Sequence, residues 1–234
     1  MSTCLLCHNS FEEVDSWATL FSLAEPDPLC SVCSAKFEKI EGELCEICGR
    51  PFTELSSEYR KGNLCYDCVR WEKDPRWQSV LTKNRSIYLY NDFAKEVISL
   101  YKFRGDYVIS SIFKTPLKKT FKTYFTSSHF VVPIPLSDER LYERGFNQAG
   151  ALARLLDVPV NEILVRAHLE KQSKKGRDER ISGQNVFRVI GSVQDKDILL
   201  VDDIYTTGST LRHAGQVLLE GGAKTVSALT LMRG

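Results

Sequence analysis

The sequence predicts an α/β protein in which a mainly parallel sheet, flanked by helices, follows a small cysteine-rich module. All eight cysteines fall within residues 1–69, whereas residues 85–234 hold short aliphatic runs that alternate with segments of helical periodicity. Buried strands that alternate with helices are typical of parallel sheets. We therefore expect a module over residues 1–70, a linker over 71–84 and a larger domain over 85–234.

Composition and charge support the same division. With 43% hydrophobic and 26% charged residues, the 234-residue chain has the composition of a folded protein, which excludes a disordered one. The net charge of +1 indicates no partner by itself, but residues 1–69 carry 5 basic and 12 acidic residues and residues 70–234 carry 26 and 18. Neither an apolar run of about 18 residues nor a signal peptide is recognisable. We expect a cytoplasmic protein without membrane insertion.

The cysteines form four pairs with identical C-x-x-C spacing. Two such turns complete a tetrahedral Cys4 zinc site, which leaves no open position for water or substrate, so the spacing predicts two structural zinc ions in a zinc-ribbon-like module. A cytosolic setting disfavours the alternative of disulfides. Adjacent pairing is favoured, interlaced pairing stays open, and His8 is a possible substitute ligand. The predicted ligands are Cys4, Cys7, Cys30, Cys33, Cys45, Cys48, Cys65 and Cys68.

The larger domain has a recognisable order of elements. Strands are predicted at 86–90, 129–132, 198–201 and 225–232, and helices are predicted from about 93 to 105, at 146–156 and at 209–219. A basic and aromatic stretch at 114–125 has helical spacing, which favours a core helix with a solvated side over a nucleic-acid-binding surface. Parallel sheets bind ligands at the carboxyl ends of their strands, so we expect the functional site there.

The strongest functional signal spans residues 199–210. A hydrophobic strand ends in Asp202 and Asp203, and a turn rich in Thr, Gly and Ser then opens a helix. The N–H groups and the dipole at a helix N-terminus suit a phosphate. Adjacent carboxylates suit vicinal hydroxyls or a hydrated Mg²⁺. The segment therefore predicts a pocket for a phosphorylated sugar.

This segment closely resembles the motif with which type I phosphoribosyltransferases bind 5-phosphoribosyl-1-pyrophosphate (PRPP). The resemblance implies the type I phosphoribosyltransferase fold and a site for PRPP with Mg²⁺. It implies that Asp202 and Asp203 contact the ribose hydroxyls. It places the 5′-phosphate on the loop formed by Tyr205, Thr206, Thr207, Gly208, Ser209 and Thr210.

Four ordered motifs extend the resemblance to the whole chain. They are K-F-x-G-D at 102–106, V-P-x-P-L at 132–136, R-G-F-N-Q at 144–148 and D-D-x-x-T-T-G-S-T at 202–210, and with the cysteine pairs they are similar to the ComF family of late competence proteins. The resemblance implies that Pro135, Arg140 and Arg144 serve the pyrophosphate. It places Lys174 in a mobile hood over the active site, within the basic segment 171–180. The implied catalytic residues are Asp202, Asp203, Arg144 and Lys174.

The resemblance also implies a biological role and leaves alternatives open. ComF relatives act in natural transformation, where they handle incoming single-stranded DNA beside a ComFA-like helicase ATPase. The alternatives are a genuine phosphoribosyltransferase, acting on a nucleobase or another nitrogen acceptor, and a PRPP-responsive regulator without catalysis. Whether the chain is an enzyme is left open by the sequence.

Overall fold

A computed structural model describes residues 2–12, 27–53, 55–103, 107–126, 129–166 and 186–234. Lys174, the rest of the predicted hood and residues 104–106 of the first motif lie outside these ranges. The strands are β1 Ser2–Thr3, β2 Ser10–Phe11, β3 Arg60–Lys61, β4 Leu64–Cys65, β5 Lys83–Leu89, β6 Phe130–Pro133, β7 Leu164–Arg166, β8 Phe187–Val189, β9 Asp197–Tyr205 and β10 Thr225–Arg233. The α-helices are α1 Ser31–Ala35, α2 Tyr66–Lys73, α3 Asp92–Phe103, α4 Lys114–Tyr124, α5 Asp138–Arg144, α6 Gln148–Arg154 and α7 Ser209–Glu220.

A four-stranded parallel sheet with the order β5-β10-β9-β6 forms the centre of the larger domain. Its strands correspond to the four predicted runs, and α3, α6 and α7 correspond to the predicted helices. Alternation along β9 sends Leu199 and Val201 into the core on one face of the sheet, and Ile198 and Leu200 into the core on the other. The predicted fold class is therefore confirmed.

Both faces of the sheet are covered. Helices α3, α4 and α6 pack on one face, and α7 and the antiparallel pair β7 and β8 pack on the other. In α4, Leu117 and Phe121 are buried while Lys119 and Lys122 are exposed. The structure therefore confirms that one side of the helix at 114–125 belongs to the core and that the other side faces solvent.

The cysteine-rich module packs directly against the sheet. Its residues between the two cysteine clusters run antiparallel to the edge strand β5, where the Ile40 amide donates to the Ile87 carbonyl at 3.0 Å and the Leu89 amide donates to the Glu38 carbonyl at 2.8 Å. This cover protects an edge that would otherwise be free to pair with another chain. Regular structure also enters both ends of the predicted linker, because α2 continues to Lys73 and β5 begins at Lys83.

Candidate functional site

The eight cysteines form two clusters of four, Cys4, Cys7, Cys30 and Cys33 in the first and Cys45, Cys48, Cys65 and Cys68 in the second. Within each cluster the sulfur atoms lie within 4.8 Å of one another, and every cysteine except Cys7 is buried. Adjacent pairing is thus confirmed. Amides support the thiolates: the N–H of Cys33 donates to Cys30 Sγ at 3.4 Å, and that of Cys65 donates to Cys45 Sγ at 3.3 Å. Closed Cys4 sets of this kind fit structural zinc.

Two carboxylates lie at the carboxyl end of β9, where the sequence predicts them. Asp203 forms an ion pair with Lys102 of α3, and both side chains are largely buried, with exposed fractions of 13% and 17%. The Asp203 amide donates to Asp202 Oδ1 at 2.9 Å. Burial, followed by the neighbouring charge of Asp203, raises the pKa of Asp202 well above its ordinary value. The two carboxylates are therefore held in a partly desolvated position in which a ligand can contact them.

The loop after β9 leads into α7 through a glycine that cannot be replaced without strain. Gly208 has a left-handed φ of +78°, and a Cβ atom there would lie 2.2 Å from the Tyr205 hydroxyl and 2.5 Å from Arg212 Nη1. Beyond it, α7 begins at Ser209, whose amide donates to Thr207 Oγ1 at 3.3 Å. Thr206, Thr207 and Thr210 are exposed. The loop therefore presents hydroxyls at the N-terminus of a twelve-residue helix.

A cavity of about 220 Å³ lies between these groups and the segment that follows β6. It brings together most of the residues that the sequence predicts for PRPP, together with others that it does not. The predicted residues in its lining are Pro135, Arg140, Arg144, Asp202, Asp203, Thr206 and Thr210, and the additional ones include Lys102, Asn147, Gln148 and Arg166. Tyr205 is placed differently, because its ring is buried under the loop and its hydroxyl accepts a hydrogen bond from Arg212 at 3.0 Å.

Three arginines, Arg140, Arg144 and Arg166, line the cavity together with the carboxylates. Arg144 Nη1 donates to Gln148 Oε1 at 3.1 Å, and Arg166 Nε donates to the Pro135 carbonyl at 3.3 Å. Burial, followed by the charge of Arg140, lowers the pKa of Arg166. Among the described residues that line the cavity, four side chains are cationic when Lys102 is included, and two are carboxylates. This balance suits a ligand with several negative charges, which guanidinium groups bind in bidentate fashion.

Comparison with known proteins agrees with the geometry. Residues 117–234 match the phosphoribosyl transferase domain family, and residues 2–69 match the double zinc ribbon domain family. The competence protein ComFC of Bacillus subtilis is 44% identical over 233 residues, which are 98% of this chain and 94% of the relative. The ComFC of Streptococcus pneumoniae is 37% identical, over 98% of this chain and 99% of the relative. The chain belongs to the ComF family.

A relative of lower identity has a name that refers to DNA. The DNA utilization protein YhgH of Escherichia coli O157:H7 is 29% identical over 217 residues, which are 88% of this chain and 90% of the relative.

In the part of the chain that the structure describes, every helix is too short or too polar to span a membrane.

The motifs of the ComF resemblance meet at this one cavity. Asn147, from the R-G-F-N-Q motif, caps α6 by accepting from the Gly150 amide at 3.3 Å and donates to the Ile134 carbonyl of the V-P-x-P-L motif at 3.1 Å. The next residue, Gln148, is held through its carbonyl by the Tyr101 hydroxyl at 3.0 Å. Arg166 also lines the cavity but has no signal in the sequence, because it lies in a short strand without a motif.

Proposed function

We propose that the chain binds PRPP together with Mg²⁺ in the cavity at the carboxyl edge of the sheet, and that it serves DNA uptake as a ComF protein. The observation that carries the proposal is the meeting of three features in one cavity. They are a carboxylate pair, the N-terminus of α7 and a cluster of arginines.

Each part of PRPP has a complementary group in the cavity. The 5′-phosphate occupies the loop that opens α7, where amides and threonine hydroxyls donate hydrogen bonds. The ribose hydroxyls face Asp202 and Asp203. The pyrophosphate faces Arg140, Arg144 and Arg166, and Mg²⁺, which prefers carboxylate, phosphate and water oxygens, would neutralise part of its charge. Lys174 stays a prediction for closure over this group.

Calorimetric titration of PRPP in the presence of Mg²⁺ tests the proposal. The protein should show one saturable site, and Asp202→Asn combined with Asp203→Asn should abolish binding while zinc content stays unchanged. Asp197→Asn is the matched control, because Asp197 lies at the other end of the same strand and accepts a hydrogen bond from the Thr225 hydroxyl. Unchanged affinity in the double variant would show that the acidic pair has been misread.

The role in DNA uptake is supported by the names of the relatives, which refer to competence and to DNA utilization, and by a basic, aromatic surface. Lys119 and Lys122 are exposed on α4, and Tyr124, which is 40% exposed, lies under Arg85 with 5.2 Å between the guanidinium carbon and the ring centroid. Cations beside exposed rings suit the phosphates and bases of a single strand. We propose single-stranded DNA as the partner of this surface and a ComFA-like helicase ATPase as the protein that acts with it.

Two arginines of the cysteine-rich module are less suited to DNA binding, because each is paired with an acidic side chain. Arg50 pairs with Asp67 at 2.9 Å, and Arg60 pairs with Glu43 at 3.4 Å. These acidic partners offset the charge of both arginines, so α4 is the better place to test DNA contacts.

A titration of single-stranded oligonucleotides at several salt concentrations tests the DNA role. Lys119→Ala with Lys122→Ala should weaken binding equally for different sequences and reduce the slope of log affinity against log salt by about 1 to 2, since each phosphate contact contributes roughly 0.7. Lys196→Ala with Lys224→Ala removes two exposed lysines at the starts of β9 and β10 and should leave the slope unchanged. If the wild type shows no binding at low salt, direct handling of DNA is refuted.

A further inference from the structure

The loop of residues 205–210, called the phosphate loop below, accepts hydrogen bonds from donors that lie outside it. Three consecutive carbonyls, those of Tyr205, Thr206 and Thr207, each accept a hydrogen bond. The Gly234 amide donates to the Tyr205 carbonyl at 2.9 Å, and Arg233 Nη1 donates to the Thr206 carbonyl at 3.1 Å. The indole Nε1 of Trp71 donates to the Thr207 carbonyl at 3.1 Å. The backbone of the loop is thus fixed at three successive residues.

Two of these donors are tied to the second cysteine cluster. Arg233 is 3% exposed, and its Nη2 lies 3.9 Å from Cys48 Sγ, within hydrogen-bonding distance for sulfur. Trp71 follows Cys68 by three residues on α2, so the same helix carries a zinc ligand and the loop donor. One guanidinium therefore connects a zinc-binding thiolate to the phosphate loop, and a second connection runs through α2.

Electrostatics favours this connection when the cluster holds zinc. Four thiolates and one Zn²⁺ have a net charge of −2, and a buried guanidinium beside them compensates part of that charge. In the part of the chain that the structure describes, no acidic side chain pairs with Arg233, so without the cluster this buried cation would be uncompensated, which is costly. Its guanidinium also lies 4.8 Å from the centroid of the Tyr205 ring, under the loop. The zinc centre and the position of Arg233 therefore stabilise each other.

We propose that the second zinc centre is a working part of the phosphate site, with Arg233 and Trp71 as its positioning residues. By donating hydrogen bonds to the loop carbonyls, these residues keep the negative oxygens turned away from a bound phosphate. They also hold the loop in the conformation that binds the anion. This inference rests on the proposed function, because it assigns the loop to the phosphate of PRPP. It gives the zinc module a role in ligand binding besides its role in the fold.

Three single variants test the proposal. Trp71→Phe keeps the ring that packs on Trp77 and Arg212 but removes the indole donor. Arg233→Lys keeps the charge but cannot reach both the carbonyls and the sulfur. Trp77→Phe is the matched control, because Trp77 packs against Trp71, while its indole donates no bond to the loop in the described part of the chain.

Hydrogen exchange of residues 203–210 is measured without ligand, together with zinc content and PRPP affinity. Trp71→Phe and Arg233→Lys should retain two zinc ions, exchange faster in the loop and bind PRPP about 3- to 10-fold more weakly, as the loss of one hydrogen bond implies. Trp77→Phe should match the wild type in all three measurements.

The outcomes separate this inference from the proposed function. If the wild type binds no PRPP, the proposed function fails, and loop exchange alone then decides the inference. If Trp71→Phe and Arg233→Lys keep both zinc ions and their loops exchange at the wild-type rate, the inference is overturned. If Arg233→Lys does not fold, Trp71→Phe decides in the same way.

Discussion

The ion pair between Lys102 and Asp203 is the interaction in the cavity whose loss is best defined. Replacing Lys102 with Met would leave Asp203 largely buried beside Asp202, with no ion-pair partner in the described structure. Exposed pairs contribute about 0.2 to 1 kcal/mol, and removing one partner of a fully buried pair costs about 3 to 5 kcal/mol. With exposed fractions of 17% and 13%, we expect an intermediate loss of about 2 kcal/mol in unfolding free energy. This corresponds to a fall in Tm of about 4 to 8 °C for a chain of this size.

A double-mutant cycle isolates the pair. Lys102→Met, Asp203→Asn and the combined variant are unfolded by denaturant with zinc present, and we expect a coupling energy of about 1 to 2 kcal/mol. The exposed pair Arg154 and Glu162, with exposed fractions of 54% and 61%, is the control, for which Arg154→Met and Glu162→Gln should show a coupling close to zero. Equal coupling at the two sites would refute the assignment of a buried pair in the cavity.

Three further predictions follow from the same structure. The purified protein should contain about two zinc ions per chain by elemental analysis, and intact disulfides without zinc would contradict this. Cys45→Ser should lower the Tm of the larger domain as well as that of the cysteine-rich module, because Cys45 packs in the same hydrophobic core as residues of the larger domain. Asp202→Asn should raise the Tm more at pH 8 than at pH 5. Because the pKa of Asp202 is raised, the folded state binds more protons than the unfolded state, so the wild type loses stability as pH rises and the carboxyl of Asp202 ionises. A pH-independent difference in Tm would contradict this prediction. Gly208→Ala should destabilise the protein by about 1 kcal/mol or more, measured by denaturant unfolding, because of its positive φ and the close Tyr205 hydroxyl; wild-type stability would count against the loop geometry.

The parts of the site that were predictable from the sequence are those whose signals are contiguous. The strand, the acidic pair and the glycine turn of residues 199–210 follow one another directly, so β9, the carboxylates and the start of α7 could be predicted together. The C-x-x-C spacing gave the two clusters in the same way, because each turn brings two thiolates to one ion.

The remaining features depend on contacts between residues far apart in the chain. Neither the pairing of Lys102 with Asp203 nor the position of Arg166 at the cavity has a local pattern. The bond from Trp71 to the Thr207 carbonyl joins the predicted linker to the phosphate loop, and its partners have no local signal. Tyr205 belongs to a predicted motif, but membership of the motif does not reveal that its ring faces the core.

A crystal structure of the protein with PRPP and Mg²⁺ would show whether one cavity holds PRPP between the carboxylates, the loop and the arginines. We expect the 5′-phosphate on the loop before α7, the ribose hydroxyls on Asp202 and Asp203, and the pyrophosphate beside Arg140 and Arg144. PRPP bound elsewhere, or bound without contact to either carboxylate, would contradict the proposed site.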